Sequence, residues 1–109
     1  MGRSRRLSFS AFSVMYAIAN GHRYGFDVME ATGLASGTVY PVLTRLQRDG
    51  LLESSWEDED EAAEEGRPPR RYYALTPHGS EALREAVGML RTIGGPRLTD
   101  PAPGGGKSR

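Results

Sequence analysis

TVYPVLTRLQRDG (residues 38–50), followed by LLESSW (51–56) and then GRPPRRYYALTPHG (66–79), decides how this chain folds. At about 100° per residue, Val39, Val42, Leu43 and Leu46 share one side of a helix. Pro41, Thr44 and Arg48 fall opposite, with Tyr40 and Arg45 on the flanks. The start of this helix stays open between Ser36 and Thr38, either of which can cap it. Pro41 favours Thr38, because proline is tolerated in the first turn; with Ser36 as cap, Pro41 costs one helical hydrogen bond. Two strands follow with period-two patterning. In 51–56, Leu52 and Trp56 alternate with polar residues. In 70–75, Tyr72 and Ala74 face one way, Tyr73 and Leu75 the other. A charged segment at 58–67 joins them and reads as a solvated loop.

Upstream, residues 8–20 predict a helix with Phe12, Met15, Tyr16 and Ala19 on one stripe and Ala11 and Ile18 beside it. Apolar residues cover most of its circumference, which predicts burial on more than one side. Residues 22–24 read as a very short strand. Residues 25–32 predict a second helix, ended by Gly33 in a left-handed turn with Leu34 packed beneath. Downstream, Thr76 caps a further helix with Pro77 in its first position. Leu83, Val87 and Leu90, with Ala86 and Ile93 alongside, form its apolar stripe. Trp56, Tyr72 and Tyr73 are assigned mainly to packing.

This order of elements predicts a mainly helical α+β fold, a winged helix-turn-helix over residues 8–79. A C-terminal helix at 80–94 follows, between a flexible basic leader (1–7) and a glycine- and proline-rich disordered tail (95–109). A winged helix presents one helix to the DNA major groove and a basic loop to the flanking backbone.

The totals fit one small domain of 109 residues, for which oligomerisation is a natural way to gain core. There is no cysteine, hence no disulfide or thiolate chemistry. The formal net charge is zero, but its distribution is lopsided. Residues 51–66 carry eight acidic side chains and no basic one; the rest holds fourteen basic against six acidic. Charges beyond about 8 Å are largely screened at physiological salt, so a neutral sum hides a basic face. The acidic run lacks the turn glycine of a calcium loop, and His22 and His78 sit in no hydrolytic pattern. Neither metal nor cofactor nor enzymatic activity is expected. MGRSRR before an apolar run imitates a secretory leader, but Ser8, Ser10 and Ser13 interrupt it. No segment has the roughly 18 apolar residues of a membrane span. The expected location is cytoplasmic.

YGFDVME (24–30), GTVYPVLTRLQRDGLL (37–52), Trp56-Glu57 and GRPPRRYYALTPHG (66–79) together resemble the PadR family of bacterial transcriptional regulators. The resemblance covers roughly residues 8–90. It implies a homodimer that represses transcription by binding double-stranded DNA. A single helix after the wing is similar to the family's short branch, where that helix builds the dimer. Leu83, Ala86, Val87, Leu90 and Ile93, helped by Phe12, then become dimerisation residues. Position and resemblance together nominate Ser36, Thr38, Tyr40, Pro41, Thr44, Arg45 and Arg48 on the reading helix, and Arg67, Arg70 and Arg71 on the wing, as DNA contacts. Ligand-responsive family members raise a small-molecule effector as a further partner. Two features depart from the pattern: a short loop before the reading helix and an acidic wing. The rival expectation is a protein–protein module that docks a basic partner on that acidic loop.

Overall fold

The computed structural model describes residues 7–92. Ile93, the leader arginines and the C-terminal tail lie outside the described residues. Leu7, grouped above with the leader, packs against the core. The order is α1 (Phe9–Ala19), α2 (Gly25–Thr32), α3 (Ser36–Arg48), β1 (Leu52–Trp56), α4 (Glu59–Glu64), β2 (Arg71–Leu75) and α5 (Pro77–Thr92).

The ends of the helices follow from local chemistry. Ser8 Oγ accepts the Ala11 N–H at 3.1 Å and starts α1. α2 ends at Gly33 with φ 77°. There the Thr32 hydroxyl accepts the Leu34 N–H and sets Leu34 against the core. At α5, the Thr76 hydroxyl accepts the Gly79 N–H at 2.9 Å and donates to the Gly50 carbonyl at 2.7 Å. One cap thus starts the last helix and ties it to the end of α3.

α3 begins earlier than Pro41 suggests. Ala35 is its N-cap, with no side-chain cap, and Pro41 lies inside the helix. Neither Ser36 nor Thr38 caps it. The interruption is tolerated because Gly37 and Pro41 are both exposed, so the carbonyl that proline leaves unbonded is open to solvent water.

β1 and β2 pair antiparallel, with Leu52 opposite Leu75, Ser54 opposite Tyr73 and Trp56 opposite Arg71. Those six residues share one face, and its inner end, Leu52 and Tyr73, is buried. The short strand expected at 22–24 is a single bridge, Tyr24 to Tyr72. The Tyr73 N–H also donates to the Arg23 carbonyl at 2.7 Å. The segment expected as a solvated loop instead holds α4. Asp58 caps it by accepting the Asp60 and Glu61 N–H groups, and acidic residues fill its first turn. Negative charge there complements the helix dipole, and Ala62 is fully buried.

The core gathers Val14, Met15, Val28, Val39 and Leu43, all essentially sealed from solvent. Each such side chain contributes roughly 1.5–3 kcal/mol by burial. α1 lies at the centre, against α2, α3, α5 and β2; it buries Ala11, Val14, Met15, Ala17 and Ile18, whereas Tyr16 and Ala19 of the expected stripe are exposed.

Two glycines of α5 separate packing from backbone freedom. A Cβ on Gly79 would overlap the Leu51 carbonyl, whereas one on Gly88 meets nothing within 4 Å. Gly79→Ala is expected to lower stability by roughly 1–3 kcal/mol, and Gly88→Ala to raise it by about 0.4–1 kcal/mol. Urea unfolding midpoints check both signs.

Candidate nucleic-acid interface

α3 offers one polar side because its other side is fully engaged. Val39, Val42, Leu43 and Leu46 are buried, while Ser36, Tyr40, Pro41, Thr44, Arg45 and Arg48 are exposed and Thr38 is half-buried. Neither Arg45 nor Arg48 makes an ion pair among the described residues. Their charges are directed to solvent and available to an anion.

Tyr40 reaches from α3 to the start of α2. Gly25 is buried at the start of α2, and a Cβ there would run into the Tyr40 ring. Only the missing side chain lets the ring lie across that helix start. Burial pushes the Tyr73 phenol up, Arg71 opposes the shift and Tyr40 adds to it.

The three wing arginines have different fates. Arg67 forms a two-pronged pair with Glu57, at 2.6 and 2.8 Å, and also reaches Glu65 at 3.1 Å. The Arg70 N–H donates to the same Glu57 carboxylate at 3.1 Å. Hydrogen bonding to Arg67, opposed by burial and reinforced by Arg70, holds the Glu57 carboxyl down at about 2 and raises Arg67. Arg70 is half-buried, its guanidinium 4.1 Å from the Tyr24 ring centre; Tyr24 packs edge-on against Tyr72. Arg71 is exposed, its guanidinium 5.5 Å from the ring centre of Trp56 and its Nε–H donating to Ser54 Oγ at 3.0 Å.

The structure therefore brings the nominated α3 residues onto one surface. It places Arg71 on the same strand face as Tyr73 and engages Arg67 inside the wing. Trp56, assigned to packing, is instead 65% exposed. Period-two patterning identifies its face but not where the core beneath that face ends. Glu57 was hidden in an acidic run; its role depends on a partner ten residues away.

A second surface lies on α1 and α5. Leu83, expected at a dimer interface, is buried in the chain's own core, whereas Phe12, Ala86, Val87 and Leu90 are half-buried. Phe9, Tyr16 and Met89 are exposed, and Tyr16 stacks on Phe12. No helix of the described residues is long and apolar enough to cross a membrane, and none of their acidic and histidine side chains gather as a metal site.

A model of the transcriptional regulator PadR-like family matches residues 14–85. Among solved structures, a PadR family transcription regulator from Clostridium difficile shares the fold with TM-score 0.70 at 22% identity, over 79% of this chain and 91% of that one. A PadR-like transcription factor from Bacteroides fragilis gives TM-score 0.65 at 28% identity, over 76% and 81%. Bordetella bronchiseptica BpsR, whose DNA binding is regulated by 6-hydroxynicotinic acid, gives 0.64 at 27%, over 80% and 58%. A search of curated protein sequences finds no match.

The Glu57–Arg67 clamp gives the wing an acid limit. With the carboxyl at about 2 rather than the ordinary 4.5, its contribution is complete above pH 4.5 and is lost as pH falls through about 2. Fluorescence of Trp56, adjacent in sequence, is expected to report a wing transition in that window. Glu57→Gln should abolish the transition.

Proposed function

The chain belongs to the transcriptional regulator PadR-like family, and on that premise we propose a homodimeric repressor that binds a palindromic operator. Members of this family are transcriptional regulators rather than enzymes. The observation that carries the reading is the solvent-facing side of α3. It is polar, and it bears Arg45 and Arg48 without acidic partners among the described residues. In this reading α3 enters the major groove, with Ser36, Thr38, Tyr40, Pro41, Thr44, Arg45 and Arg48 facing DNA. Arg70 and Arg71 approach the flanking backbone. Arg67 acts chiefly through the order it imposes on the wing.

The second copy docks on the apolar surface shared by α1 and α5. Phe12, Ala86, Val87 and Leu90 are half-buried there, and Ile93 extends the same sequence stripe. Each apolar side chain buried at the interface contributes roughly 1.5–3 kcal/mol, counted once per subunit. Two-fold symmetry sets half-sites about 34–36 Å apart, or a multiple of that. Repression follows from occluding a promoter. The ligand-regulated neighbour supports an effector that acts by changing the spacing of the two reading helices.

The test is anisotropy on a duplex selected from genomic fragments by the purified protein, titrated with salt. Arg48→Ala is expected to cost about 1–3 kcal/mol if it reads a base. If it meets a phosphate instead, the salt slope should shrink by about 0.9. Charge reversal at Asp58 and Asp60 should matter less. A protein-docking wing predicts the opposite ranking. Light scattering should find a dimer; a monomer at micromolar concentration contradicts the proposed assembly.

A further inference from the structure

Arg71 is held from two directions, and both holds follow from the hairpin register. Its cross-strand partner is Trp56, whose indole lies under the guanidinium at 5.5 Å to the ring centre. Ser54, on the same face, accepts its Nε–H at 3.0 Å. That leaves the two terminal nitrogens, with four N–H groups, for another acceptor. No carboxylate pairs with Arg71 among the described residues. Arg67, by contrast, is engaged with two carboxylates, and Arg70 is half-buried over Tyr24. The wing thus presents one arginine that is exposed, uncompensated and oriented.

The indole itself is the second observation. Trp56 is 65% exposed, at the end of a face whose inner residues are buried. It contributes little to the core. An arginine laid on an aromatic ring keeps its plane while its edge remains free to meet an oxyanion, the geometry in which guanidinium and phosphate pair through two hydrogen bonds.

We infer that Trp56 and Ser54 are positioning residues that preset Arg71 as the wing's contact to a DNA backbone phosphate. The inference rests on the DNA-binding reading above and adds to it which wing side chain makes the contact and what aims it. Phosphate contact requires no particular sequence, so a random-sequence duplex at low salt suffices as probe.

Four variants test it by salt-titrated anisotropy: Arg71→Ala, Trp56→Ala, the two combined, and Trp56→Phe. Arg71→Ala should weaken binding about tenfold and reduce the salt slope by about 0.9. Trp56→Ala should weaken it severalfold, the double variant should be no worse than Arg71→Ala alone, and Trp56→Phe should recover part of the loss. The chain has a single tryptophan, so its emission should change when DNA binds and, in the free protein, when Arg71 is replaced. Wild-type affinity in Trp56→Ala or Arg71→Ala overturns the inference, as do losses that simply multiply in the double variant. Arg48→Ala separates the two levels. If it weakens binding while the wing variants do not, only the wing assignment falls. If the wild-type protein binds no duplex at all, the DNA reading falls with it.

Discussion

Val39 and Leu43 are sealed beneath α1 and α2, and that burial decides which side of α3 meets the solvent. A helix of this length has little stability alone; it exists because one edge is held. Rotating it by one residue's turn in one sense would bring Arg45 towards the core and expose leucine. The cost of burying an unpaired guanidinium far exceeds anything the rotation could recover. The orientation of the polar face is thus a consequence of packing, and everything assigned to that face inherits its direction from the apolar one.

Charge is organised in the same local manner. The chain sums to zero, yet its acids and bases are kept apart by structure. Glu57 and Glu65 take up Arg67, Asp58 caps α4, and the remaining acids of that helix face water. Arg45, Arg48 and Arg71 have no acidic partner among the described residues. An acidic wing helix and a basic α3 surface therefore coexist within a small domain.

Much of this architecture was legible in the residues. The apolar spacing in α3, the Thr76-Pro77 start of α5, the Gly33 stop and the alternation in both strands are local signals with local causes. Each appears where they placed it. What escaped depends on contacts distant in sequence. Pro41 argued for a later start to α3, because whether a freed carbonyl meets water is a tertiary property. The acidic run read as loop because like charges repel and only six residues are helical; the buried Ala62 and the cap that hold it have no periodic signature. Trp56 was assigned to packing because hydrophobic type marks a preference for burial, not the place where the layer beneath ends. Of the site, the α3 surface could be anticipated. The division of labour among Arg67, Arg70 and Arg71 could not, since three neighbouring arginines look alike until their acceptors are known.

β2 is held along both edges: β1 on one side, the Tyr24 bridge and the Arg23 carbonyl on the other. Residues 23 and 24 lead directly into α2, so the hairpin is fastened to the front of the helical bundle. Tilting the wing would strain the same backbone that sets where α2 begins. On the function proposed above, each subunit would dock as one stiff block, with α3 and the wing at a fixed separation. In the dimer proposed above, tolerance for curved or stretched operators would have to arise at the joint between the two blocks.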